Sequence, residues 1–293
     1  MTETVAIIAQ GEMGAGVARR LVERGARVLT SLQGRSKASG ARAQRAGMIA
    51  VDDDTALVAE ADFFLSIVPP ADAVALAERM RPVLAAAQRK PIYVDCNAVA
   101  PETAERIGAI LADTGCPYVD AGIVGGPPSG SSAGPRFYVS GEAATEFLRL
   151  AACGLSVHVL EGPLSAASAL KMSYAGITKG TTAIGAAMML GATRAGCAEA
   201  LRAELADSQP QLLAFLSASV SRMPPKAYRW VAEMEEIGDF LGEARAEHDL
   251  YGAIAKFYER LAQGMEVRKD GDELSALEQF CVGPTQNAAR RRA

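Results

Sequence analysis

The stretch "VAIIAQGEMGAGVARRLVERGARVLTSLQGRSK", residues 5–37, decides the fold. An apolar run from Val5 to Ile8 passes through a glycine-rich turn into a helical segment, and a second apolar run follows, ending near Ser31. Strand, helix and strand in that order predict a βαβ unit. The turn reads Ala9-Gln10-Gly11-Glu12-Met13-Gly14. In a G-x-G-x-x-G turn the first glycine makes the tight entry, the second lets backbone approach a pyrophosphate, and the third lets the helix pack on the strand. Ala9 replaces only the first. The helix start adds N–H groups and a partial positive charge. Gly11, Glu12, Met13 and Gly14 are therefore expected to cradle a dinucleotide, with the Glu12 side chain turned to solvent.

The end of the second strand speaks to which dinucleotide. A site for NAD carries Asp or Glu about 20 residues past the turn, on the ribose 2'-hydroxyl. Here the segment is "LTSLQGRSK", without an acid. Arg35 is placed to pair with a 2'-phosphate, with Ser31, Ser36 and Lys37 as further donors. NADP is expected in preference to NAD.

The same alternation continues to about residue 160: "DFFLSIV", "PIYVDC", "PYVDAGI", "RFYVSG" and "SVHVL" read as strands, separated by helical stretches such as "ADAVALAERMRPVLAAAQ". This predicts an α/β Rossmann-type, doubly wound and mainly parallel sheet over residues 1–162. From Ser165 the β signal stops. The run from Ser165 to about Gly196 has no proline and is rich in Ala, Leu, Met and small residues, which predicts one long interdomain helix of about 45 Å. Small residues such as Ala166, Ala169, Gly176, Gly180 and Gly191 admit close approach of another helix. With breaks near Pro210 and at "MPPK" (223–226), residues 163–293 read as an all-α C-terminal domain. The "PPSGSSAGP" segment at 127–135 reads as a polar loop, over the site or simply on the surface, and Arg290, Arg291 and Arg292 as a frayed solvated end.

Bulk properties exclude several classes. The 293 residues are 49% hydrophobic with net charge −4, enough for real cores and without attraction for nucleic acid. No run is apolar and long enough to span a bilayer. The five cysteines are scattered and never spaced CxxC, which argues against a zinc site and for reduced thiols. The N-terminus enters a strand directly, so no export and a cytoplasmic location are expected. The two histidines, His158 in "LSVHVL" and His248 in "EARAEHDLY", read as a strand residue and a surface helix residue. Acid–base chemistry is then left to Lys, Tyr, Asp and Glu.

Two further stretches narrow the choice. "VDAGIVGGPP" (119–128) ends a strand in a Gly-Gly turn, and "SAASALKMSYAGITKG" (165–180) sets Lys171 in an apolar helix. Together with "AQGEMG" they resemble the β-hydroxyacid dehydrogenase family, NAD(P)-dependent oxidoreductases related to 6-phosphogluconate dehydrogenase. "PPKAYRWVAEMEEIG" (224–238) resembles the branch with a phosphogluconate-dehydrogenase-like C-terminal helical domain. The family's substrate loop, roughly Asp-Ala-Pro-Val-Ser-Gly-Gly, is matched by Asp120, Ala121, Gly125 and Gly126, with Val124 where the serine stands. The resemblance puts the catalytic lysine at Lys171 and, four residues on, Ala175 in place of asparagine. It implies a homodimer. "SIVPP" (66–70), with Val68 and Pro69, and "DCNAVAPET" (95–103), with Asn97, resemble the loops bordering the nicotinamide.

The chemistry also follows from the residues. Exchange of hydride between NADP and an alcohol or carbonyl needs a group that takes or gives the hydroxyl proton. An ammonium in an apolar cleft loses solvation and its pKa falls toward neutrality, which suits Lys171. Tyr174 and Lys179, one and two turns further on, are candidates to meet the small-molecule substrate beside Val124, Gly125 and Gly126. The expected activity is that of an NADP-dependent dehydrogenase or reductase on a hydroxyacid-like or related alcohol or carbonyl compound. Its rivals are an NADPH-dependent imine reductase and a non-catalytic NADPH-binding sensor or partner protein.

Overall fold

The computed structural model of the chain describes residues 2–128, 134–267 and 271–283. The middle of the 127–135 loop and the Arg290–Arg292 tail lie outside the described residues. The chain divides into two compact units, Met1–Met172 and Ser173–Ala293.

The first unit begins with β1 (Thr4–Ile8), α1 (Glu12–Glu23), β2 (Arg27–Ser31), α2 (Lys37–Arg45) and β3 (Ile49–Val51). It continues through α3 (Asp54–Ala59), β4 (Phe63–Ser66), α4 (Pro70–Ala86), β5 (Ile92–Asp95) and α5 (Pro101–Leu111). Then come β6 (Tyr118–Val124), β7 (Arg136–Ser140), α6 (Arg149–Ala152), β8 (Ser156–Val159) and the first turns of α7 (Ala166–Arg194). The sheet order is β3-β2-β1-β4-β5-β6-β7-β8. All pairs are parallel except β6 with β7. The order 3-2-1-4-5-6 reverses direction between β1 and β4, and the crevice at that switch point is where open α/β sheets bind ligands.

The strands are apolar on both faces because helices cover both. In β1, Val5 and Ile7 pack with Val17, Ala18 and Leu21 of α1. Ala6 and Ile8 turn the other way, toward Leu76 and Met80 of α4 and Ala104 and Ile107 of α5. This is the period of two that a strand imposes. Phe63, Phe64 and Leu65 of β4 are fully buried in succession, as a central parallel strand requires. Each such side chain contributes about 1.5–3 kcal/mol by burial. The helix starts are defined locally: Ser36 caps α2 by accepting the Ser39 N–H, Asp53 caps α3, and Pro70 and Pro101 occupy first-turn positions of α4 and α5.

In the second unit α7 is followed by α8 (Ala198–Ser208), α9 (Pro210–Arg222), α10 (Ala227–Leu241), α11 (Ala246–Glu266) and α12 (Glu273–Val282). The small residues of α7 do what their size suggests. A Cβ at Gly176 or Gly180 would come within 3.0 or 3.1 Å of the Tyr251 hydroxyl of α11, and one at Gly185 would overlap Leu216 of α9. Tyr258 of α11 is fully buried, its ring edge-on to Trp230 of α10 at 5.2 Å.

Candidate active site

The glycine turn lies at the switch point. The Ala9 N–H donates to the Ile67 carbonyl at 3.1 Å, which fastens the turn after β1 to the loop after β4. A Cβ on Gly14 would overlap the carbonyl oxygen of Ala9, so this residue must be glycine for α1 to start so close to β1. Gly11 is different. Its φ of −69° and ψ of −174° are open to any residue, and a Cβ there would meet nothing within 4 Å. It leaves bare backbone facing open space at the start of a helix that no side chain caps. A pyrophosphate fits such a cradle. Glu12 is exposed and Met13 half-buried.

Beside the turn, the buried Gln10 side chain donates to the Ser31 carbonyl at 2.9 Å and to Thr30 Oγ1. The ends of β1 and β2 are thereby held together. Ser31 is itself buried and its hydroxyl lies 3.4 Å from the Gln33 N–H, while Arg35, Ser36 and Lys37 are exposed. On the opposite flank, Asn97 is buried and its amide is spent on the protein. Its Oδ1 accepts the Val68 N–H at 2.7 Å, and its Nδ2 donates to Ser66 Oγ at 2.8 Å and to Asp95. Asn97 therefore sets the path of the Val68–Pro69 loop, Val68 half-buried and Pro69 exposed.

Lys171 is fixed by an arrangement around β6. Val119, Ala121 and Ile123 face the core on the α1 side, so Asp120, Gly122 and Val124 face the start of α7. The Asp120 carboxylate accepts the Ser168 N–H and the Ser168 hydroxyl, both at 2.7 Å. Ser140 Oγ accepts the Ala167 N–H at 2.9 Å and donates to the Leu164 carbonyl at 2.7 Å. Side chains of the sheet thus satisfy backbone N–H groups in the first turn of this helix. Burial raises the Asp120 carboxyl to about 6, against the lowering effect of its hydrogen bonds.

One turn on, a Cβ at Gly122 would lie 2.7 Å from the Ala167 carbonyl oxygen and 2.9 Å from Lys171 Cβ. The missing side chain at Gly122 lets Lys171 sit directly on the strand. Lys171 is largely desolvated and makes no hydrogen bond or ion pair with a described residue. Desolvation alone brings its pKa down from 10.5 to about 8. Val124, 3% exposed, follows on the same face, and Gly125 (φ 120°) and Gly126 carry the chain out to solvent. The loop then returns over α1: a Cβ at Gly16 would be 2.9 Å from Pro128.

In the first unit the turn, the Val68–Pro69 loop, Asn97 and Gly125–Gly126 follow the carboxyl ends of β1, β4, β5 and β6, and Lys171 lies against Gly122 of β6. Tyr174 and Lys179 belong to the second unit. Tyr174 is 46% exposed. Lys179 is ion-paired with Glu233, with its Nζ 5.1 Å from the centre of the Trp230 ring, and its carbonyl accepts the Tyr258 hydroxyl at 2.6 Å. Ala175 is buried. Sequence reading passed over Gly122, Ser140, Ser168 and the Asp120 cap; the detectable signal was an acid within an apolar strand. Among the described residues no group of His, Cys, Asp and Glu is placed to hold a metal.

Comparison with known proteins agrees with this arrangement. The family described as the NAD binding domain of 6-phosphogluconate dehydrogenase matches residues 4–152, and a domain of unknown function (DUF1932) matches residues 192–261. Curated relatives from Mycobacterium bovis and Mycobacterium tuberculosis, each named a probable 3-hydroxyisobutyrate dehydrogenase, are 29% identical over 142 residues. That match covers 48% of this chain and 47% of theirs, so it spans about half the length of these relatives. Among solved structures, the conserved protein MTH1747 of unknown function, described as similar to 3-hydroxyacid dehydrogenases, superposes with a TM-score of 0.67 at 28% identity. It covers 90% of this chain and 98% of its own. The Mycobacterium tuberculosis 3-hydroxyisobutyrate dehydrogenase with L-serine gives a TM-score of 0.71 at 20% identity, over 94% and 98%, a likeness of fold.

Proposed function

The chain belongs, through residues 4–152, to the family of the NAD binding domain of 6-phosphogluconate dehydrogenase, and on that premise we propose that it is an NADP-dependent oxidoreductase of small hydroxyacids or related alcohol and carbonyl compounds. The observation that carries the reading is Lys171: a desolvated lysine with no counter-ion among the described residues, with a pKa of about 8, backed by a glycine whose missing side chain admits it. Such an arrangement costs stability and is characteristic of an acid or base at work.

The nicotinamide supplies hydride exchange when bound. Gly11 and the start of α1 receive the pyrophosphate, and Arg35 and Ser36 meet the 2'-phosphate. Asn97 holds the Val68–Pro69 loop against the ring's side of the crevice. The exposed backbone at Gly125 and Gly126 receives the polar end of the substrate. Lys171 takes the hydroxyl proton on its Nζ in oxidation and returns it in reduction; a pKa about 8 leaves both forms populated near neutrality. Val124 offers no polar atom, so the substrate is held there by backbone and by fewer side-chain hydrogen bonds than a serine would give.

Titration with NADPH and NADH, followed by cofactor fluorescence on wild type and Arg35→Ala, tests the cofactor half. A preference for NADPH that falls about tenfold or more in the variant is expected, the worth of one charge-assisted contact. Binding of neither cofactor overturns the assignment. A panel of hydroxyacids and ketoacids, with and without amines, then tests the substrate class. NADPH consumption only when an amine accompanies the carbonyl transfers the assignment to imine reduction.

The same reading includes a homodimer in the cytoplasm. Tyr174, Ile177, Ile184 and Met188, spaced 3, 7 and 4 residues apart along α7, are 46–69% exposed and form one apolar stripe. The five cysteines are all free thiols, which suits a reducing compartment. Light scattering is expected to give the mass of two chains for wild type and of one for Ile184→Glu.

A further inference from the structure

Between Glu23 and Asp52 the chain carries no acid. Arg35 and Lys37 in this segment are exposed and pair with no carboxylate among the described residues. Arg42 of α2 is placed otherwise. It is half-buried; its Nε donates to the Gln10 carbonyl at 2.7 Å and its Nη2 to Ser39 Oγ at 3.0 Å. Ser39 Oγ in turn lies 3.2 Å from Ser36 Oγ, the cap of α2. One guanidinium therefore ties the glycine turn to the first turn of α2, across the mouth between the ends of β1 and β2.

That mouth is where the ribose of a dinucleotide is read in this fold. A guanidinium has five N–H donors in a rigid fork. Two are used on the protein here, and no carboxylate among the described residues neutralises the charge. A half-buried cation without a counter-ion among the described residues, with donors left over and two serine hydroxyls beside it, is complementary to a phosphate dianion. The Gln10 bonds to Ser31 and Thr30 keep this wall rigid.

We propose that Arg42 is a cofactor-selectivity residue, the inner wall of a pocket for the adenosine 2'-phosphate of which the exposed Arg35 and Ser36 form the outer wall. The proposal rests on the NADP reading above, and the test separates the two. The probes are 2',5'-ADP and 5'-ADP, which differ only in the 2'-phosphate, titrated calorimetrically into the full chain as wild type, Arg42→Ala and Arg42→Lys. Wild type binds 2',5'-ADP more tightly. Arg42→Ala weakens 2',5'-ADP by about 10- to 100-fold, the scale of charge-assisted bonds, and leaves 5'-ADP within about threefold. Arg42→Lys retains the charge without the fork and falls between; it also reads the ratio should the alanine variant fail to fold.

Equal losses for both nucleotides would make Arg42 a brace for the turn and overturn the proposal. An unchanged ratio in both variants overturns it too, leaving the NADP reading intact. A wild type that does not distinguish the two probes instead removes the NADP reading, and this proposal with it.

Discussion

Lys171→Met is expected to lower turnover by about 10²- to 10⁴-fold, the usual worth of a positioned acid or base, and at the same time to make the protein more stable. The lysine titrates at 10.5 when unfolded and at about 8 in the fold, from desolvation. The folded state therefore binds that proton less tightly than the unfolded chain. Below pH 8 wild type carries the whole penalty, at most about 3 kcal/mol from the linkage of pKa to stability. From pH 8 to 10.5 the penalty disappears as the unfolded lysine also loses its proton. Methionine keeps the unbranched apolar stem without the charge. Denaturant unfolding at pH 7 and pH 10 should show the variant ahead at pH 7 and the gap nearly closed at pH 10. A variant less stable than wild type at pH 7, or a gap indifferent to pH, would remove the case for a strained catalytic amine. Asp120 runs the other way. Its pKa is raised to about 6, so its contribution is full below its unfolded value and is lost as pH rises through 6. Between pH 6 and 8 both desolvated groups are charged, and there the site is least favourable to the fold and ready for proton transfer.

Sequence alone carried the sheet well because both of its signals are local. A buried parallel strand is a short apolar run, and "DFFLSIV" has no other reading beside a helix of α4's length. Strand β3 gave no such signal: it has three residues, all exposed or half-buried, and Ile49 is 46% exposed. It forms because β2 offers an edge. Gly14 was readable in the site because the turn has a fixed spacing. Lys171 was marked by a charge set in an apolar stretch of helix together with the family resemblance, which puts the catalytic lysine there. The partners of these residues were not. Gly122 matters because of Ala167 and Lys171, which come 45 and 49 residues later in the sequence, and the Asp120 to Ser168 bond spans 48. Arg42 reaches back 32 residues to Gln10. None of these contacts has a local period, so only the fold brings them together. The same limit applied to Asn97. The resemblance put it in a loop bordering the nicotinamide, but nothing in the sequence shows that its amide bonds to Val68, Ser66 and Asp95.

Gly14→Ala and Gly11→Ala are expected to separate what the turn does for the fold from what it does for the cofactor. At Gly14 the added methyl would collide with the Ala9 carbonyl oxygen. That atom is backbone in the turn itself, so α1 must move off β1. The expected cost is about 1–3 kcal/mol or more, the range for overpacking a closed contact, together with loss of NADPH affinity because the helix start is displaced. At Gly11 nothing stands within 4 Å and the backbone angles suit alanine. The fold should tolerate that change to within about 0.5 kcal/mol, as at an unconstrained surface position. NADPH affinity should nonetheless fall about tenfold or more, because the methyl occupies the space through which backbone approaches the pyrophosphate. Unfolding curves and fluorescence titrations on both variants decide it. A Gly11→Ala protein as stable as wild type that also binds NADPH as tightly would mean that no phosphate lies against Gly11. The glycine would then be an ordinary feature of a tight turn, and family likeness alone would be left to support a cofactor in this crevice.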